Sequence, residues 1–317
     1  MLSSSNSATG SALAKPAFKS RFRVWQDELE AAQSWVEHGE RTPTKARFAS
    51  SLVLLRDSAH GPETFLSYRQ HYSPLGTVAF PGGLVEATDD VDASSRWAGP
   101  SPAAWAKTMG TEDIALARKH VVAVIRETFE ETGILLAGTD ASSLIDVVPS
   151  PEWMKKREAL AAQEFSFQDI LSKRGLVLRT DLLKPVVNWI SPDFAHRRFN
   201  TRYFAAAAPV NQTPTPLESK SLWGRWACPP KLVAEPNSTA LGDEIGLPNT
   251  VGRPLFELVS SGFDLILSKI AISRGCIAYL NHKRSGAAYK PRLVVEDGEF
   301  WLEVDVAAMP DGICRER

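Results

Sequence analysis

The sequence predicts an α/β protein, and two observations carry that prediction. Runs of strand length and strand composition occur at residues 49–56, 78–80 and 184–190, rich in Val, Ile, Phe, Trp and Leu and followed by turn residues such as Gly, Pro and Ser. Between them lie stretches with apolar residues at three- and four-residue steps, at 112–133 and 152–167, the spacing of a helix with one buried side.

Taken in order, residues 1–20 are rich in Ser and Ala and read as a disordered tail. They lack the basic start and the apolar core of a signal peptide. An N-terminal helical segment follows over 21–44, its helix at 21–38 carrying Trp25, Leu29, Ala32 and Trp35 on one side. Leu52-Val53-Leu54-Leu55 makes 49–56 the first clear strand, and residues 64–68 are its hairpin partner across Pro62. Arg69, His71 and Tyr72 then lead into a Ser73-Pro74-Leu75-Gly76 loop before the strand at 78–80. Residues 89–111 hold Trp97 and Trp105, side chains that are seldom left fully exposed. They either line a pocket or cap the fold.

Thr111, with Glu112 and Asp113 behind it, reads as the cap of the next helix with acids in its first turn. A strand at 145–148, a helix at 152–167 and the strand 184–190 follow, the last ending at Ser191-Pro192. Helices are expected at 255–260 and 263–273. The final hairpin, 292–295 with 299–304, turns at Asp297-Gly298. No internal repeat is visible.

The chemistry concentrates in Arg126-Glu127-Thr128-Phe129-Glu130-Glu131-Thr132-Gly133. At about 100° per helical residue, Glu130 and Glu131 both lie within about 60° of Glu127, so three carboxylates share a face. Val121, Val122, Ile125 and Phe129 form the opposite, apolar face, and Gly133 is placed to end the helix. Such a face is either plainly solvated or covered by something cationic. Carboxylate oxygens suit hard divalent ions, and Arg126 is placed to orient its acidic neighbours through charge-assisted hydrogen bonds. Upstream, Phe80-Pro81-Gly82-Gly83 runs a strand end into a glycine turn, where backbone can approach a ligand closely.

Together these residues resemble the signature of the Nudix hydrolases: glycine, five residues, an acid, seven residues, then R-E-U-x-E-E-x-G-U with U aliphatic. Thr128 stands in place of the first aliphatic. The spacing also departs from the pattern. Counted from Gly83 the signature arginine belongs at position 97, and it stands at 126, 29 residues further on; the acid is Asp89 rather than Glu. Both departures resemble the coenzyme A diphosphatases of the peroxisomal type, whose signature is split by a long insertion. Arg197-Arg198-Phe199-Asn200-Thr201-Arg202-Tyr203-Phe204 is similar to that subfamily's R-R-F-D-T-R-F-F strand, with Asn200 for Asp.

The resemblance implies an α/β/α sandwich with a mixed sheet over 45–235, with 90–111 inserted in the signature, and a C-terminal extension, 236–317, packed on the core. It implies Mg²⁺ or Mn²⁺ held by Glu127, Glu130 and Glu131. It gives Arg126 an orienting role, and puts Gly82 and Gly83 against substrate phosphates. Arg69 and Arg198 are further candidates for phosphate contact, alongside Arg197 and Arg202, though each is as readily a loop-holding arginine. Glu218, five residues before Trp223, is the candidate for the additional acid that these enzymes carry in a late loop; the general base is that residue or a glutamate of the signature. The implied reaction is hydrolysis of a diphosphate linkage in a small-molecule nucleoside diphosphate derivative. Coenzyme A or acyl-coenzyme A is the leading substrate, with ADP-ribose, NADH or a nucleotide sugar as the alternative. A non-catalytic ligand-sensing module is the third option, and it sits poorly with an intact set of acids.

Composition narrows the partners. Lys and Arg number 36 against 37 Asp and Glu, a balance that gives no support for nucleic-acid binding. No run approaches the roughly 18–20 apolar residues that span a bilayer. Three cysteines, Cys228, Cys276 and Cys314, are widely separated and form no metal or disulfide pattern, so a cytoplasmic setting is expected. The terminal Arg315-Glu316-Arg317 is not a peroxisomal address. A homodimer is an option that the sequence leaves open.

Overall fold

The computed structural model describes residues 17–307 apart from 40, 71–75, 92–95, 148, 283 and 285–287. Most of the expected tail, the loop residues His71 to Leu75, Val148 and Cys314 lie outside the described residues.

The chain opens with strand β1 (Ala17–Arg23) and helix α1 (Gln26–His38). This corrects both the tail to residue 20 and the helix from residue 21. Lys19, Arg21 and Arg23 alternate with Ser20 and Phe22, a period of two rather than of a helix. β1 pairs antiparallel with 301–307, from Ala17 opposite Ala307 to Arg23 opposite Trp301. Lys19 and Arg21 both reach the buried Glu303, at 2.9 and 3.2 Å.

Strands β2 (Arg47–Ser58) and β3 (Gly61–Tyr68) form the expected hairpin. Short strands β4 (Val78–Ala79) and β5 (Gly82–Leu84) add to β3 and β2. Residues 97–109 form β6 (Trp97–Ala98) and α2 (Pro102–Met109), the latter capped by Ser101 and closed by Gly110. Trp105 is buried edge-on against Phe204, and α2 packs on the next helix. This segment therefore caps the fold.

Helix α3 (Ile114–Thr132) carries the acids. Its cap is Asp113, whose carboxylate accepts from Leu116 N at 2.8 Å, and not Thr111, whose hydroxyl oxygen instead accepts from Asp113 N. β7 (Ala137–Gly138) follows. The strand expected at 145–148 is absent over its described residues. One backbone bond joins Ile145 N to Ala137 O, and the Gln212 side chain takes up the Ile145 and Leu135 carbonyls, so a distant amide replaces a ladder.

The helix expected over 152–167 ends early, as α4 (Pro151–Ala161), and a second helix, α5 (Phe167–Lys173), begins at the last residue of that range. The break comes at Gln163, with φ 59°, and Ser166 restarts the chain in a reciprocal capping box with Asp169. β8 (Val177–Arg179), β9 (Lys184–Ile190), β10 (Phe199–Ala207) and β11 (Gly224–Ala227) complete the central strands. Beyond them lie α6 (Pro229–Ala234), α7 (Ala240–Ile245), α8 (Leu255–Leu258), α9 (Ser261–Ala271), α10 (Cys276–Asn281), β12 (Ala288–Tyr289) and the hairpin β13 (Arg292–Glu296)–β14 (Glu299–Ala307).

The main sheet runs β11-β3-β2-β10-β9-β12, with β4 beside β3 and β5 beside β2. It is mixed: β10 lies parallel to β2 and antiparallel to β9. Alternation along β2 and β10 sends Leu52, Leu54, Phe204 and Ala206 to one face, where Val121, Val122, Ile125 and Phe129 of α3 cover them. Val53, Leu55, Tyr203 and Ala205 go to the other face, against Phe263, Ile266 and Ile270 of α9. The result is the three-layer α/β/α sandwich. Among the described residues no helix is long and apolar enough to cross a membrane.

Candidate active site

α3 presents its acids because its two sides differ in partners. Phe129 is fully buried and meets Trp153 edge-on at 5.4 Å, which fixes the rotation of the helix. The acids on the other side are nonetheless covered. Arg126, Glu127, Glu130 and Glu131 are each 5 % exposed or less. Isolated carboxylates at that depth would be costly, so each needs a partner.

The cover is the glycine loop. β5 pairs with β2, Gly82 opposite Ser51 and Gly83 opposite Ser50. A Cβ on Gly83 would lie 2.5 Å from the Glu127 carboxylate, and one on Gly82 would lie 2.4 Å from Ser50 O. Gly82 has φ 156°, at the edge of the left-handed region. Its N–H donates to Glu131 Oε2 at 3.3 Å. Arg69 spans loop and helix: Nη2 donates to Gly82 O at 2.6 Å and Phe80 O at 3.3 Å, while Nη1 pairs with Glu131 Oε1 at 3.3 Å.

Arg126 rejoins the two halves of the split signature. Its Nε and Nη2 donate to the two oxygens of the fully buried Asp89, at 2.7 and 3.1 Å. Nη1 donates to Glu127 at 2.9 Å and Glu130 at 2.8 Å, and Nη2 also reaches Leu84 O at 2.9 Å. A planar five-donor fork can do this where an ammonium cannot.

The segment after β10 docks on the end of α3 through Thr215 N to Thr132 O, at 2.7 Å, and Leu217 N to Glu131 O, at 3.3 Å. Arg157 binds the carbonyls of Glu130 and Thr215 together. The residue of this segment that reaches the acids is Lys220, whose Nζ lies 3.2 Å from Glu130 Oε2. Arg126, Glu130 and Lys220 share a cavity of about 200 Å³ with Glu86 and Gln163, which are themselves hydrogen-bonded at 2.8 Å.

Not every residue singled out in the sequence gathers here. Arg69, Gly82, Gly83, Arg126, Glu127, Glu130 and Glu131 do. The Glu218 side chain is exposed, and its carbonyl accepts from Gln70 Nε2 at 3.0 Å. Arg198 is committed elsewhere, to Thr44 O and Pro192 O and to Asp193 at 2.7 Å. Arg202 donates to Met109 O at 2.9 Å. Lys220 was missed: a lysine two residues past a candidate acid reads as a solvated loop cation, and only the docking of the loop shows otherwise.

The electrostatics follow from this crowding. Burial pushes Glu131 up to about 7, Glu127 adds to the rise, and Arg69 and Lys220 oppose it. Glu130 is also raised, by burial and by Glu127. Burial works against the charge on Lys220, but Glu127, Glu130 and Glu131 outweigh it and raise the ammonium above its usual range. Among the described residues no three His, Cys, Asp or Glu side chains converge as a ready-made metal cage. The acids are neutralised instead by Arg126, Arg69 and Lys220. The donor chemistry still fits Mg²⁺ or Mn²⁺: hard carboxylate oxygens on one helix face, beside an open cavity.

No family model and no curated protein matches the chain. Among solved structures, a NUDIX hydrolase from Alicyclobacillus acidocaldarius superposes with a TM-score of 0.58 at 19 % identity, covering 77 % of this chain and 99 % of that one. A C. elegans Ap4A hydrolase and the NUDIX domain of Shewanella oneidensis NrtR bound to ADP ribose also match. They share 14 and 11 % identity, cover 63 and 74 % of this chain and 93 and 94 % of theirs, and have TM-scores of 0.31 and 0.33. Only the first superposes closely enough to bear on the fold. This chain has the fold of the Nudix hydrolases.

Proposed function

We propose that the chain is a Nudix diphosphatase that hydrolyses a phosphoanhydride within a nucleoside diphosphate derivative, with coenzyme A or acyl-coenzyme A as its substrate. The products would be 3′,5′-ADP and a 4′-phosphopantetheine. The observation that carries the reaction class is the buried acid face of α3 under the Gly82–Gly83 loop, with Arg126 joining Glu127 and Glu130 to Asp89. The choice of coenzyme A rests on the split signature and the Arg197–Phe204 segment that resemble the coenzyme A diphosphatases.

Glu127, Glu130 and Glu131 would hold one or more Mg²⁺ or Mn²⁺ ions, which when bound supply positive charge against the phosphate oxygens and make a water more acidic. Arg126 orients two of these carboxylates. Gly82 and Gly83, lacking side chains, let the loop backbone lie directly against Glu127 and Glu131. Arg69 holds that loop in place and Lys220 contributes a cation on the cavity wall. The base is a glutamate of the signature or Glu218. Glu218 stands two residues from Lys220 and would have to turn inward from its exposed position.

The test is a panel of coenzyme A, acyl-coenzyme A, ADP-ribose, NADH and nucleotide sugars with Mg²⁺ or Mn²⁺, with products identified by mass. Release of 3′,5′-ADP supports the reading. Cleavage of ADP-ribose to AMP with coenzyme A left intact would replace the substrate and keep the reaction class. Turnover of none of them would favour a ligand-sensing module.

A further inference from the structure

We propose that a second cavity, of about 520 Å³ and on the sheet face opposite α3, holds the nucleobase of the substrate, with the N-terminal segment as its outer wall. This rests on the reading of the substrate as a nucleoside diphosphate derivative. The volume falls within the range of small-molecule sites. Trp189 and Tyr203, from β9 and β10, line it together with Ser260 at the start of α9. Phe22 and Trp25 close it from the N-terminal side, with Phe22 edge-on to Trp189 at 6.1 Å.

This wall is held by the other end of the chain. β1 runs in register along β14, and the buried Glu303 takes Lys19, Arg21 and Arg292 at once. The site is thus built from both chain ends, outside the acidic signature.

The lining favours a base over a phosphate. Its surface is largely aromatic and apolar, suited to stacking a flat ring. Its two arginines are already neutralised, Arg21 by Glu296 and Glu303 and Arg23 by Glu299. The Trp25 indole N–H is buried and has no acceptor among the described residues. Buried indole donors normally find a partner, and a ring nitrogen of a base supplies one.

The cavity also lies near the acids through the chain. Tyr203 is the register neighbour of Ser51 on β2, and Ser51 is the register neighbour of Gly82. The Phe80 ring meets Tyr203 at 6.4 Å, while the Phe80 carbonyl shares Arg69 with Glu131. These contacts tie the cavity wall at Tyr203 to the Phe80–Gly82 segment that covers the acids of α3.

The test uses AMP as the probe and calorimetric titration of the full chain in the presence of chelator, which reads binding without turnover. Trp25→Phe keeps the ring and removes the donor. Phe256→Ala trims a lining side chain that is 41 % exposed, so the fold should tolerate it. Each variant, after its melting curve is shown to match the wild type, is expected to bind AMP about tenfold more weakly, the scale of one lost hydrogen bond or contact. KM for a hydrolysed substrate should rise by a similar factor with kcat nearly unchanged. AMP that fails to bind the wild type, or that binds both variants as tightly, overturns the inference. Weakened binding in the variants of a chain that hydrolyses nothing on the panel would keep the cavity assignment and sink the diphosphatase reading instead.

Discussion

At Arg126 a single guanidinium meets three carboxylates, two of them five residues or fewer away in sequence and the third, Asp89, across the inserted segment. Burial alone would lower its pKa, but Glu127, Asp89 and Glu130 together raise it, so it is cationic at every working pH. Arg126→Ala should cost about 3–5 kcal/mol, because Asp89 is left buried and unpaired; the urea midpoint measures it. The two glycines beside it should respond differently. At Gly82 an added methyl meets the backbone of Ser50 and Ser51, so Gly82→Ala is expected to destabilise by about 1–3 kcal/mol. At Gly83 the three nearest atoms all belong to the end of the Glu127 side chain, which can swing aside. Gly83→Ala should therefore stay within about 1 kcal/mol of the wild type and lose turnover, a split that melting curves and kinetics separate. Glu28 gives a pH signature. Burial, then Asp27, pushes its carboxyl up to about 7. The folded state thus binds this proton more tightly than the unfolded state. The group is neutral to stability below the ordinary carboxylate range and increasingly destabilising as pH rises toward 7. Glu28→Gln should raise the Tm at pH 8 and change it little at pH 5.

Among the elements, α3 was the most legible in the sequence. Its apolar stripe and acidic face follow from one period, and Gly133 marks its end with φ 77°. Strands β2, β3, β9 and β10 were legible from β-branched and aromatic runs. What the sequence hid depends on distant partners. β1 forms because β14 and Glu303 receive it, 280 or so residues away. At Ile145 the carbonyl goes to the Gln212 side chain rather than to a neighbouring strand, so residues 145–147 stay irregular. The break between α4 and α5 was visible in principle, since Ser166 and Asp169 form a capping box; the alanine-rich run before it masked the signal. At the site, spacing revealed the acids but not which loop cation joins them, because Lys220 arrives through backbone bonds that leave no mark in the sequence. The inserted segment also has a prediction of its own. Trp105 is 2 % exposed in the main core, edge-on to Phe204, so Trp105→Ala should cost about 3–5 kcal/mol in denaturant melts.

Across the whole molecule, the described residues of 45–235 and of the C-terminal extension share one interior. Val53, Leu55 and Tyr203 pack with Phe263, Ile266 and Ile270, and β1 closes against β14. We propose that the C-terminal extension does not fold alone. The full chain should unfold in a single transition, and a fragment 236–317 should be open to protease; a cooperatively folded fragment would contradict this. The direct test of the central claim, that the acid face of α3 drives diphosphate hydrolysis, is the steady-state kcat of Glu131→Gln with Mg²⁺ or Mn²⁺ on the best substrate of the panel. The exchange is isosteric, and the circular dichroism spectrum should match the wild type. We expect turnover to fall by at least about 10²-fold, beyond the scale seen for outer-shell partners of a metal site, and wild-type activity to vanish with chelator and return with either ion. A folded Glu131→Gln chain with near-normal turnover would contradict the role given to this helix.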